Sequence, residues 1–372
     1  MLKIGITGQE GFVGTHLFNT IALFPNEFEQ VDYDISFFGD DVLLDKFVAQ
    51  CDVIVHLAAM NRHSDPQVLY DVNVGLVSTL INSLERTNSQ AHVILSSSSQ
   101  EEKDNLYGKS KKVGRELLIK WANTVGGTFT GLIIPNVFGP FGQPYYNSVI
   151  ATFSHQISNG ETPHIQVDGA LKLIYIGELV TEILSKIREN KTNTAYEVPH
   201  TSVSKVSELL GLLKGFKSSY QENGEIPKIN TTFELNLFNT FRCYMDIANH
   251  FPVKYVQHID TRGSFVEVIR LEIGGQVSFS TTVPGVTRGN HYHTRKIERF
   301  AVIKGKALIQ LRRIGSNEVL NFYLDGAEPA YVDMPIWYTH NIKNIGDEVL
   351  YTNFWINEFY DSNDPDTYFE EV

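Results

Sequence analysis

Apolar positions in the first third of the chain come in short unbroken runs, separated by stretches of helical period. Leu2–Thr7 reads as a buried strand, Glu29–Tyr33 as a second and Asp52–Leu57 as a third. Between the first two, Gly8–Gly14 runs into a helix whose apolar stripe passes through Leu17 and Ile21. Val93–Leu95 is a further strand, leading into Ser96–Ser99. This alternation predicts an α/β, Rossmann-type doubly wound parallel sheet. Between Lys191 and Phe251 the pattern is mixed: Val206–Leu213 and Phe233–Phe238 fit helices, and Glu222–Pro227 a turn. Beyond Phe251 the period falls to two. Phe265–Leu271, Phe300–Leu311 and Val349–Trp355 alternate between glycines and charges, which fits a small antiparallel β-barrel. A linker near His250–Pro252 divides the chain into domains of residues 1–250 and 251–372.

The length of 372 residues suits two domains, each able to bury its own core. A net charge of −12 argues against a nucleic-acid or acidic-membrane surface as the main business. The two cysteines, Cys51 and Cys243, give no disulfide framework and fit a reducing, cytoplasmic setting. The sequence begins directly with a strand rather than a signal peptide, and no apolar run approaches the ~20 residues of a membrane helix.

Two groups of residues carry chemistry. In the first, Gly8, Gly11 and Gly14, with Phe12 and Val13, form the turn between a strand and a helix. There the backbone can approach a pyrophosphate that the helix N-terminus stabilises. Asp32 ends the second strand 18 residues after Gly14, where an acid can accept from a ribose 2′-hydroxyl. That placement favours NADH, because a carboxylate repels a 2′-phosphate and no basic residue follows before Lys46, unless Arg62 swings in from the third-strand loop to offset the repulsion. After Leu57, the small residues Ala58 and Ala59 either let a cofactor lie across the sheet edge or simply pack tightly; Leu57, and Asn73 on the next helix, are counted with them. Tyr107 and Lys111 are spaced i, i+4 on one helix face, where an ammonium favours the phenolate and makes the phenol a better acid.

The second group is Gly285-x5-His291-Tyr-His293-x4-Glu298-x6-Gly305. Strand alternation points His291 and His293 the same way, and a short loop brings Glu298 round to join them. His340, within Pro335–Asn344, is the candidate fourth ligand. Imidazoles with one carboxylate suit a borderline divalent ion such as zinc.

The first group resembles the extended short-chain dehydrogenase/reductases over about residues 1–245. That resemblance implies that Ser98 polarises a substrate carbonyl, Tyr107 moves the proton, and Lys111 holds the nicotinamide ribose. Pro135–Pro140 is similar to the element bordering the nicotinamide, although Ile133 stands where an arginine is common. The Asp-Glu pair of dehydratase members is replaced by Ser99-Gln100. The second group resembles the cupins, with Trp337 in place of a usual glycine. Asp260-Thr-Arg262-Gly263-Ser-Phe265-Val-Glu267 and Arg288–His291 are similar to the sugar-nucleotide 3,5-epimerase branch.

Joined in this order, and running to Asp366-Thr-Tyr368-Phe369, the two halves resemble the CapF-type bifunctional capsular- and O-antigen-polysaccharide enzymes. The resemblance implies NADPH, one Zn²⁺ per cupin, a homodimer and a UDP-linked 4-keto sugar as substrate. It also implies C3 epimerisation in the cupin followed by C4 reduction to UDP-2-acetamido-2,6-dideoxy-L-talose, on the way to UDP-L-FucNAc. The C3 proton is acidic only while C4 is a ketone, so epimerisation precedes reduction. Two alternatives stay open. One is a 4-epimerase that retains its dinucleotide beside a sugar-binding cupin, the other a cupin that only dimerises.

Overall fold

A computed structural model describes residues 1–261 and 263–372. Arg262, part of the epimerase-like signature, lies outside the described residues. The chain forms two compact units: Met1–Val149 with Asp168–Val206, and Ile150–Val167 with Ser207–Val372.

In the first unit, β1 (Leu2–Thr7), α1 (Phe12–Ile21), β2 (Phe28–Val31), α2 (Asp41–Gln50), β3 (Val53–His56), α3 (Pro66–Arg86), β4 (His92–Ser98), α4 (Leu106–Val125) and β5 (Phe129–Ile134) follow in sequence. Next come the short β6 (Asn136–Phe138) and α5 (Val149–Ser158), most of which belongs to the second unit. The first unit closes with β7 (Ala170–Tyr175), α6 (Ile176–Glu189), β8 (Asn193–Glu197) and β9 (Ser202–Lys205). The main sheet is parallel in the order β2-β1-β3-β4-β5-β8, with a smaller sheet β6-β7-β9 beside it. This is the doubly wound arrangement read from the pattern. Strands β1, β3, β4 and β5 are buried along most of their length, as strands covered on both faces must be. Leu44, Phe47, Leu80, Val93, Leu118, Trp121 and Phe129 belong to the core cluster packed against them.

Because the strand order switches direction between β1 and β3 while all strands stay parallel, the carboxyl ends of β1, β3 and β4 open a crevice at that edge of the sheet. Strand β2 stops at Val31, two residues short of the expected end, because Asp34 caps a 3-10 turn over Ile35–Gly39 with its side chain on Ser36 N.

The second unit adds α7 (Val206–Phe216), a π-helical turn at Lys217–Glu222, α8 (Thr232–Arg242) and α9 (Ile247–His250). Both helices expected between Lys191 and Phe251 are present, as α7 and α8. Its strands are β10 (Val253–Lys254), β11 (Gln257–Asp260), β12 (Gly263–Val266), β13 (Gln276–Thr282), β14 (Thr287–Tyr292) and β15 (Glu298–Lys304). They continue as β16 (Lys306–Arg313), β17 (Val319–Asp325), β18 (Ala330–Met334), β19 (Tyr338–Asn344), β20 (Leu350–Ile356) and β21 (Tyr368–Phe369). Apart from the β11–β12 hairpin they make two antiparallel five-stranded sheets, β10-β18-β15-β20-β13 and β17-β16-β19-β14-β21, the cupin-like half of the fold.

The alternating segment Phe300–Leu311 is two strands, not one. Gly305, at φ 87°, turns the chain between them, a backbone conformation that glycine reaches without a Cβ clash. A buried ion pair stiffens this unit: Arg299 grips Asp333 through two bonds of 2.7 and 3.0 Å, and Tyr220 donates to the same carboxylate at 2.7 Å.

Candidate active sites

The crevice of the first unit is a cleft of about 1110 Å³, large enough for a dinucleotide and a sugar. Its floor is the glycine turn. Gly8 sits at φ 76°, and a Cβ there would stand 2.7 Å from Ala58 N; one on Gly14 would stand 2.2 Å from Gly8 O. Only glycines let this backbone come so close, and the space they leave beside the α1 N-terminus could hold a pyrophosphate. Phe12, Val13, Leu57, Ala58 and Ala59 line the same cleft.

Two members of the expected set stand apart. Asp32 is exposed and is not among the lining residues, where Tyr33 appears instead. Asn73 is buried on α3; its amide donates to Met60 O at 2.9 Å and accepts from Met60 N at 2.7 Å. It therefore braces the Ala58–Met60 loop from behind.

Ser98, Tyr107 and Lys111 line the same cleft close to one another. Asn105 starts α4 by accepting from Gly108 N at 2.8 Å, which fixes where Tyr107 leaves the helix. Burial pushes the Tyr107 phenol up and a hydrogen bond with Ser98 pulls it partly back, so the phenol stays protonated at neutral pH. The sequence suggested instead that Lys111 would ease the phenol toward phenolate. In the structure the Lys111 ammonium donates to Ser96 O at 3.0 Å and stands 5.9 Å from the Tyr107 ring centre, so desolvation wins. Burial lowers Lys111 itself to about 8, with Glu101 opposing the shift.

Glu101 is a residue that sequence reasoning passed over. It accepts from Ser97 Oγ and is gripped by Arg115 through bonds of 2.9 and 2.6 Å. Arg115 follows Tyr107 and Lys111 at the next i+4 step of α4, so the period that paired those two also pointed to it. This pair ties the end of β4 to the face of α4 that carries Tyr107 and Lys111.

In the second unit, His291, His293, Glu298 and His340 bring one ligand atom each within 4.8 Å of all the others. His291 lies in β14, His293 just past its end, Glu298 in β15 and His340 in β19, with His291 registered directly opposite His340. Each imidazole is oriented by a backbone carbonyl: His293 Nδ1 donates to Asp366 O at 2.5 Å, His340 Nδ1 to Tyr338 O at 3.0 Å, and His291 bonds Gly289. That leaves Nε2 of His293 and His340 facing Glu298 Oε2 at 2.9 and 3.2 Å. His340 Nε2 is buried and misaligned for a hydrogen bond, so it has no partner.

Burial pushes Glu298 up, but the His293 bond and the nearness of His340 outweigh it and hold the carboxyl well below the usual carboxylate range. Burial likewise lowers His291, to about 4, while Glu298 raises His293 despite burial. A proton or a cation belongs between these atoms. The donor set of three imidazoles and one carboxylate, oriented from behind, fits a divalent metal. Trp337 keeps the turn before His340 by adopting φ 62°, a conformation costing a non-glycine residue roughly 1–2 kcal/mol. Its ring stacks on Tyr292 at 5.7 Å, which helps to hold it there.

Residues 4–198 match the NAD dependent epimerase/dehydratase family, and residues 258–368 match the polysaccharide biosynthesis C-terminal domain. A UDP-2-acetamido-2,6-beta-L-arabino-hexul-4-ose reductase of Pseudomonas aeruginosa is 31% identical, over 99% of this chain and 98% of its own. The crystal structure of the capsular polysaccharide assembling protein CapF from Staphylococcus aureus superimposes with a TM-score of 0.63 at 34% identity, covering all of both chains. The chain belongs to the CapF-type family. It is accordingly an enzyme with a nicotinamide dinucleotide as cofactor. The chain is also similar to the spore coat polysaccharide biosynthesis protein SpsL of Bacillus subtilis, at 27% identity over 125 residues, 30% of this chain and 82% of that one. Among the described residues no helix is long and apolar enough to cross a membrane.

Proposed function

We propose that this CapF-type chain is a bifunctional nucleotide-sugar enzyme. Its barrel epimerises C3 of a UDP-2-acetamido-2,6-dideoxy-4-hexulose. Its cleft then reduces the C4 ketone to UDP-2-acetamido-2,6-dideoxy-L-talose, on the way to UDP-L-FucNAc. The full-length relationship to the Pseudomonas 4-hexulose reductase carries this reading. The labour divides along 1–250 for reduction and 251–372 for epimerisation, within a cytoplasmic homodimer.

In the cleft, Ser98 donates a hydrogen bond to the C4 carbonyl oxygen and Tyr107 gives its phenolic proton to that oxygen as the C4–H bond forms. Lys111 holds the nicotinamide ribose and its charge favours the phenolate left behind. When bound, NADH or NADPH supplies the hydride. In the barrel, His291, His293, Glu298 and His340 would hold one zinc ion, which supplies a Lewis acid for charge developing at O4. The carbonyl partners of the imidazoles keep the ligand nitrogens aimed inward throughout.

The test is proton NMR of a UDP-linked 4-keto-6-deoxy-HexNAc with the enzyme in deuterated water. Deuterium enters C3 without any dinucleotide, and the C4 alcohol appears only when NADH or NADPH is added. Reduction with no exchange at C3 overturns the bifunctional reading. Size-exclusion chromatography with light scattering reads the dimer.

A further inference from the structure

The C-terminal tail is built into the barrel's histidine–carboxylate cluster. Strand β21 pairs with β14, setting Phe369 opposite His291 and Tyr368 opposite Tyr292. Just before it, Asp366 is 2% exposed and sits at φ 40°, a conformation that aspartate tolerates better than most residues. Its Oδ1 accepts from Thr294 N at 3.0 Å and from Thr294 Oγ1 at 2.6 Å. Its Oδ2 accepts from Arg295 N at 3.0 Å and from Lys296 N at 3.1 Å. Three consecutive backbone N–H groups thus converge on one carboxylate, the kind of concave nest that otherwise binds an anion. Lys296 reinforces the junction by donating from Nζ to Pro365 O at 2.6 Å.

The turn held in this way is the connection from His293 to Glu298, two of the four cluster residues. The same Asp366 offers its carbonyl to His293 Nδ1 at 2.5 Å. One residue therefore fixes the path of the ligand-bearing loop and the plane and tautomer of one imidazole. A carbonyl acceptor keeps the proton on Nδ1 and leaves the Nε2 lone pair free.

We propose that Asp366 is a positioning residue of the barrel's metal centre, holding His293 and the His293–Glu298 loop in ligating geometry. It touches neither metal nor sugar and acts only through those groups. The proposal rests on the barrel binding a metal, so the experiment reads the metal directly.

The full chain is stripped of metal, and zinc affinity is measured by competition with a chromophoric chelator for the wild type, Asp366→Asn and Asp366→Ala. Cobalt substitution gives a visible spectrum that reports ligand geometry, and thermal unfolding of the metal-free proteins reports the fold. Asp366→Ala is expected to bind zinc about 10–100-fold more weakly, the usual range for losing an outer partner of a ligand. Its cobalt bands shift or weaken, and Asp366→Asn, which keeps one acceptor oxygen and the tolerance of positive φ, falls between. A purely structural role predicts a lower unfolding temperature with wild-type zinc affinity and cobalt bands, and that result overturns the proposal. Should Asp366→Ala not fold, wild-type affinity in Asp366→Asn overturns it equally. A wild-type chain that binds no divalent ion overturns the metal centre itself, and this proposal with it.

Discussion

The cleft and the barrel cluster both gather polar atoms out of water, and they leave them in different states. In and behind the cleft the polar groups already have protein partners: Lys111 rests on Ser96 O in the lining, while behind it Asn73 rests on Met60, and Glu101 on Ser97 and Arg115. In the barrel four ligand atoms crowd within 4.8 Å, and the buried His340 Nε2 has nothing to bond. The electrostatics follow. Burial moves Tyr107 and Lys111 toward their neutral forms, whereas the histidines beside Glu298 keep that carboxylate charged against burial. Burial by itself therefore does not mark a candidate metal site; ligand atoms converging on one point do. A large ligand such as a dinucleotide instead needs a surface already settled before it arrives.

If the two regions are independent machines, Tyr107→Phe separates them most sharply. Substrate-dependent oxidation of NADH or NADPH is expected to fall by about 10²–10⁴-fold, the worth of a positioned acid. Deuterium exchange at C3 in the same preparation is expected to stay at the wild-type rate. Loss of both activities would erase the distinction.

His291→Ala and His340→Ala probe the other side. Each removes one of four ligands, and zinc affinity is expected to drop on the order of a hundredfold, since a full four-ligand site is worth about 10–16 kcal/mol. Metal analysis after dialysis reads the loss, and C3 exchange should fall with it. Dinucleotide binding in the cleft, followed by fluorescence quenching, should not change.

The difference in electrostatics predicts a pH profile for reduction. Lys111 is lowered to about 8, so its ammonium is intact below that pH and is lost as pH rises through it. Tyr107 is shifted the opposite way and remains protonated over the same range. The value of kcat/KM for the ketone should therefore fall by about tenfold per unit above pH 8, reporting the free enzyme's essential groups. A flat profile to pH 9.5 would show that the ammonium is not needed.

The smallest effect concerns dinucleotide choice. Asp32 lies outside the cleft lining, so Asp32→Ala is expected to shift the NADH/NADPH ratio of kcat/KM toward NADPH by no more than about tenfold, or ~1.4 kcal/mol. A larger swing would bring Asp32 to the ribose after all.

What the sequence could determine was set by covalent period. Tyr107 and Lys111 share a face because helical residues four apart must, and His291 and His293 share one because strand side chains alternate. The order of strands and helices, and the change of period after Phe251, sufficed for a doubly wound sheet followed by an antiparallel barrel. Glycines at 8 and 14 announced a close backbone approach, since nothing larger fits there.

What the tertiary structure decided was everything that depends on distant chain segments meeting. The end of β2 moved back to Val31 because Asp34 captures Ser36 N, a local competition that strand propensity does not weigh. Lys111 turned to Ser96 O rather than to the phenol, because a buried ammonium takes a carbonyl where the fold offers one. Asp366 met a loop some 70 residues earlier, and no period links the two positions. Such contacts arise only once the sheets have closed, because the entropy of bringing remote segments together is repaid by the whole core and not by the pair itself.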